Sequence, residues 1–132
     1  MKRRISKIGM VLTGAALLCA GAFVTAQPAA ADGHACARSS CAAEVNFTSK
    51  GEYFTVHDYS SDGHSAVGLL WYWNGSEYIP HSYVWNTGGL NGDAVTVNYA
   101  IPEGRSVMYI ACLGESKTGE IFDCGDASYD TA

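Results

Sequence analysis

From residue 44 onward, apolar and polar residues alternate in short runs, the period of half-buried β-strands. In residues 44–48, Val45 and Phe47 share one face. In residues 52–58, Phe54 and Val56 oppose Tyr53, Thr55 and His57. Residues 64–85 carry the strongest signal, two β-favouring runs around Asn74-Gly75, a pair suited to a type I′ hairpin turn. In its first run Val67, Leu69, Trp71 and Trp73 share one face, and Ala66, Gly68, Leu70 and Tyr72 the other. Both faces are apolar, which predicts a strand interior to a sheet and covered on both sides for part of its length. Pro80 removes a backbone donor from the second run, which is therefore an edge strand or is broken there.

Further strands are predicted over 93–100, with Val95, Val97 and Tyr99 on one face, over 105–113, and over 119–124. Turn clusters separate the runs: Ser60-Ser61-Asp62-Gly63, the glycine- and asparagine-rich 86–92, Pro102-Glu103-Gly104 and 114–118. Residues 32–42 read as a stapled arm, and the acidic tail after Gly125 is expected to fray. About seven short strands without a helical period predict one all-β domain, an antiparallel β-sandwich. It is not of immunoglobulin type, because Tyr109 lies three residues before Cys112 rather than two.

The N-terminus follows a different pattern. Lys2, Arg3, Arg4 and Lys7 precede an apolar, small-residue run over 8–24, and Ala29-Ala30-Ala31 offers a cleavage site. Residues 1–31 are read as a cleaved signal peptide and residues 32–132 as the secreted domain. Cleavage after Ala26 is the second choice. Arg3-Arg4 lacks the apolar residues of a twin-arginine signal, since Ser6 and Lys7 follow. Leu18 before Cys19 argues against a lipoprotein signal.

Residues 32–132 hold four Lys/Arg against 13 Asp/Glu, a net charge of −9. That acidity argues against nucleic acid and anionic membranes as partners. Cys36, Cys41, Cys112 and Cys124 form an even set, expected to be disulfide-bonded in an oxidising compartment. Of three connectivities, the local one is favoured: Cys36 with Cys41 and Cys112 with Cys124. Zinc is the competing reading, weakened by the lack of a Cys-x-x-Cys knuckle.

Asp58-Tyr-Ser-Ser-Asp-Gly-His-Ser-Ala-Val67, Trp85-Asn-Thr-Gly-Gly89 and Pro102-Glu-Gly-Arg-Ser-Val-Met-Tyr-Ile-Ala-Cys112 resemble small secreted proteins of Streptomyces and related actinobacteria. The likeness covers residues 52–124. It implies an extracellular all-β protein and carries no activity with it. Some members have a further cysteine pair that this chain lacks, so their disulfide pattern is not transferred.

Trp71, Tyr72, Trp73, Tyr78, Tyr83 and Trp85 form the densest aromatic set and the candidate ligand-binding surface. Exposed flat rings stack on sugar faces, and protein-binding surfaces favour the same residues. Filling of the sandwich core is the structural alternative for these rings. Asp58-x-Ser60-x-Asp62-Gly63 opens like a calcium loop, but Leu69 stands where a bidentate Glu is needed, and a plain turn accounts for it. If Tyr59 pairs with His64, then His57 and His64 lie diagonally on one sheet face. After cleavage at Ala31, Asp32-Gly33-His34 would present an amine and a third-position histidine to Cu(II) or Ni(II). There is no Gly-x-Ser-x-Gly, His-Glu-x-x-His or phosphate loop. Asn46-Phe47-Thr48 and Asn74-Gly75-Ser76 fit the glycosylation pattern, which carries no weight in a bacterial protein of the kind the resemblance implies.

The expected protein is non-catalytic, needs no cofactor, and binds an extracellular polysaccharide or protein. The alternative is an inhibitor of a protease or amylase, acting through a rigid loop at 86–92 or through the Cys36–Cys41 ring.

Overall fold

The computed structural model describes residues 32–132, so the signal-peptide expectation lies outside the described residues. The strands are β1 (Asp32–Cys36), β2 (Ala43–Thr48), β3 (Tyr53–Asp58), β4 (Ser65–Trp73), β5 (Tyr78–Asn86), β6 (Val95–Asn98), β7 (Ser106–Glu115), β8 (Glu120–Phe122) and β9 (Ser128–Thr131). Among the described residues there is no helix. Two antiparallel sheets pack face to face, as the alternation predicts. One has the order β1-β2-β3-β6; the other runs β5-β4-β7-β8, with β9 beside β8 on the same edge of β7.

The inward residues fill the space between the sheets. Val45, Phe47, Phe54 and Val56 from the first sheet meet Ala66, Leu70, Val107, Tyr109 and Ala111 from the second, and all are fully buried. Tyr109 lies at the centre, its ring centroid 6.0 Å from Phe47 and 6.3 Å from Phe54. Gly68 is small because the sheets approach closely there. A Cβ at that position would stand 2.6 Å from Val56 and 2.8 Å from Phe54.

All seven predicted runs form strands, β2 to β8. β4 is interior, between β5 and β7. β5 is an edge strand, and its register with β4 shifts between Leu70 and Trp71, so His81 is a bulge residue beside Pro80. Both disulfides are the local ones, Cys36–Cys41 and Cys112–Cys124.

The two ends of the domain depart from expectation. Residues 32–36 are not a bare arm but pair with β2, and the tail does not fray but pairs with β7. Neither carries an alternating apolar pattern, for a shared reason. The Tyr109 hydroxyl donates to Asp130 Oδ2 at 2.6 Å. Both groups sit against Gly33, where a Cβ would come within 2.2 Å of the hydroxyl and 2.3 Å of the carboxylate. One end strand is therefore small on its inner side and the other is acidic. The Ser128 hydroxyl donates to the His34 carbonyl at 2.8 Å, and Ala132 closes the end by donating to Arg105 O at 2.8 Å.

Candidate functional site: the outer face of the five-stranded sheet

The two outer faces of the sandwich differ in kind. On the first sheet, alternation sends His34, Glu44, Asn46, Tyr53, Thr55, His57, Thr96 and Asn98 outward. This is the polar exterior that an antiparallel sheet normally shows to water. On the second sheet the outward residues are mostly apolar, with Ser65, Ser106 and Thr131 outward at the strand ends. In register they form rows: Tyr83–Leu69–Ile110, Trp85–Val67–Cys112, and Pro80–Trp71–Met108–Tyr129, with Trp73 opposite Tyr78 at the hairpin end. Tyr83 is 55% exposed and Tyr129 60%, while Trp71, Trp73 and Tyr78 are half-buried against one another and their neighbours.

The six predicted aromatics therefore divide. Trp71, Trp73, Tyr78, Tyr83 and Trp85 share the outer face, and Tyr72 turns inward against the core. Trp85 has a structural task. Its ring lies over Val67 and Gly114, and a Cβ on Gly114 would meet it at 2.6 Å, so Val67 is fully buried although it points away from the core. Tyr129, Met108 and Ile110 join the face without having been singled out in the sequence. Tyr129 reaches it only through the pairing of β9, and its ring lies 5.9 Å from Tyr78.

The rings are not coplanar. Trp73 and Tyr78 meet at 64° and Tyr78 and Tyr129 at 58°. Leu69, Met108 and Ile110 stand among them rather than hydrogen-bonding side chains. A flat polysaccharide needs parallel ring faces with polar groups at their edges, whereas an irregular aromatic–aliphatic surface suits the interdigitated core of a protein interface.

The other candidates resolve into structural features. His57 and His64 are not neighbours: β3 and β4 belong to different sheets, so the 59–64 segment crosses between layers instead of turning back. His57 stacks on Tyr59 at 5.3 Å, and His64 meets the edge of Phe122 at 5.0 Å. In the calcium-like loop Asp58 Oδ1 accepts from the Ser60 amide at 3.1 Å, and Asp62 Oδ1 from the His64 amide at 2.9 Å. Burial pushes the Asp58 carboxyl up against the pull of the Ser60 amide, while the His64 amide holds Asp62 down. These are turn contacts.

Residues 32–34 lie extended in β1, paired with Thr48, Phe47 and Asn46, so a square-planar wrap about a metal would require them to leave the sheet. Cys36, Cys41 and Glu44 come within metal-ligating distance of one another, but both sulfurs are engaged in the disulfide. The loop at 86–92 curls into a turn, with the Gly92 amide on Gly89 O at 2.9 Å and Asn86 Nδ2 on Val56 O at 2.9 Å. Leu90, 51% exposed, sits within that turn rather than on an extended stretch. The Cys36–Cys41 ring is tied down, since Ser39 N and Oγ both donate to the Asp123 carboxylate at 3.1 Å.

No protein-family model, curated protein or solved structure matches this chain.

Proposed function

We propose that residues 32–132 form a secreted, non-catalytic binding module that docks a protein partner on the outer face of its five-stranded sheet. The observation that carries this is the contrast between the two exteriors, one polar and one apolar, in a single small sandwich. An apolar face that leaves rings such as Tyr83 and Tyr129 exposed marks interaction sites in soluble proteins, and Trp and Tyr dominate the energetics of such contacts. The tilted rings favour a protein over a polysaccharide. Two disulfides are compatible with an oxidising compartment outside the cell, and no helix among the described residues is long and apolar enough to cross a membrane. The resemblance to secreted actinobacterial proteins supports the same location. A secreted protease or amylase is one class of partner, and inhibition is then its readout.

The test compares the protein with a Tyr83→Glu/Tyr129→Glu variant. Both positions are more than half exposed, so the fold should survive. Cross-linking in culture medium should yield a discrete protein adduct with the unmodified chain and none with the variant, and neither should be retained on insoluble polysaccharide. Retention on polysaccharide that the variant loses would replace the protein partner by a glycan. An adduct formed equally by both would remove this face from the function.

A further inference from the structure

A cleft of about 380 Å³ opens between the β4–β5 hairpin and the 99–105 segment, lined by Tyr72, Asn74, His81, Ile101, Pro102 and Arg105. Its volume falls within the range of small-molecule sites. It lies at the inner edge of the hairpin, apart from the outer face, because Tyr72 points inward where Trp71 and Trp73 point outward.

The walls are rings and aliphatics. The bulge at His81 sets this imidazole outside the regular ladder, where its ring meets Tyr72 at 5.4 Å and Tyr99 at 4.8 Å, both edge-on. Tyr99 is fixed in turn by its hydroxyl bond to Ser82. Ile101 is buried beneath them.

Two polar groups of the cleft, Arg105 and Asn74, are presented as donors. Arg105 is half-buried, and its one hydrogen bond from the guanidinium is a long contact of 3.4 Å from Nη1 to the Trp73 carbonyl. Among the described residues no carboxylate pairs with it, in a domain that holds 13 acidic side chains. Asn74 is oriented by its turn. Its Oδ1 accepts from the Ser76 and Glu77 amides at 2.8 and 2.9 Å, which commits the oxygen and leaves the side-chain NH₂ as a donor. No Asp or Glu lines the cleft.

An uncompensated guanidinium beside an amide donor, under apolar and aromatic walls, selects a planar anion on a flat apolar body. We propose that this cleft binds a small aromatic carboxylate, the carboxylate bidentate on Arg105 and the ring between Tyr72, His81 and Pro102. A free aromatic acid and the C-terminal carboxylate of an aromatic peptide residue offer the same chemistry.

The experiment is a titration of the purified protein with 4-hydroxybenzoate, its neutral amide 4-hydroxybenzamide, and N-acetylphenylalanine, followed by calorimetry and amide NMR. The carboxylates should bind at least about tenfold more tightly than the amide, as expected for one charge-assisted bidentate contact. Arg105→Gln should weaken carboxylate binding by a similar factor and leave amide binding unchanged. Tighter binding of N-acetylphenylalanine assigns the site to a peptide end, and tighter binding of 4-hydroxybenzoate to a free acid. Tyr83→Glu/Tyr129→Glu should bind the carboxylate normally, which separates this site from the docking face. Equal affinity for acid and amide, an undiminished affinity in Arg105→Gln, or no binding at millimolar ligand would overturn the proposal. The amide comparison uses the unmodified chain and does not depend on any variant folding.

Discussion

Tyr109 is where both ends of the domain converge. Its ring packs between Phe47 and Phe54, and its hydroxyl reaches past Gly33 to Asp130. Burial first, and then the bond to Asp130, hold the phenol protonated well above the ordinary tyrosine range. The sign of the pH dependence follows. The folded protein keeps a proton that the unfolded chain releases near pH 10, so this contribution to stability is complete below about pH 10 and is lost as pH rises beyond it. Absorbance at 295 nm should show a tyrosine that ionises only as the protein unfolds in alkali. Tyr109→Phe should remove that step and flatten the alkaline loss of stability. At neutral pH the same variant leaves Asp130 without this donor and should cost about 1–2 kcal/mol in denaturant unfolding. An unchanged alkaline titration in the variant would move the late-ionising phenol elsewhere.

The elements were legible where alternation wrote them. β2 and β3 bury every second residue, β7 does so over its first six residues, and β6 half-buries Val95 and Val97. β4 and β5 declare themselves by the Asn-Gly pair between them and a proline at an edge, but their connection is a four-residue loop, Asn74–Glu77, with Gly75 and not Asn74 at positive φ, rather than a type I′ turn. β1 and β9 were illegible because Gly33 and Asp130 on their inward sides are set by the space and charge around one hydroxyl rather than by hydrophobicity, while Ala35 and Ser128 beside them are small. The histidine pair was misplaced for a different reason. Asp, Ser and a glycine at positive φ, here Gly63 at 83°, serve a crossing between sheets as well as a hairpin turn. At the candidate face, alternation separated Tyr72 from the outward rings, but Tyr129 depended on β9 and stayed hidden. β8 and β9 lie along the same edge of β7, and residues 123–127 join them, with Gly125 donating to Ala111 O at 3.0 Å beside Cys112–Cys124. That disulfide fixes the join between β8 and β9 to β7. Replacing both cysteines by alanine should cost about 3 kcal/mol. Hydrogen exchange should rise first in β8 and β9, with β2 and β3 still protected. Uniform loss of protection would show instead that the sandwich opens as one unit.

For the molecule as a whole, charge and apolar surface oppose each other. Residues 32–132 carry a net charge of −9, and one broad face carries Leu69, Trp71, Trp73, Tyr83, Ile110 and Tyr129. Two copies meeting through that face would bury apolar area, each square ångström contributing about 25 cal/mol, but would bring like charges together. At neutral pH and low salt the repulsion is long-ranged, about 10 Å at 0.1 M ionic strength and more below it. Lowering the pH toward 4 protonates carboxylates and removes the repulsion while leaving the apolar face unchanged. Light scattering should therefore show association growing as pH falls from 7 to about 4.5, and a similar though weaker rise on adding salt at pH 7. Tyr83→Glu/Tyr129→Glu should stay monomeric through the added salt at pH 7 and associate only at a lower pH. Association of the variant at the same pH and salt as the unmodified chain would mean that the exposed rings are not what draws copies together, and the docking role of the face would fall with it.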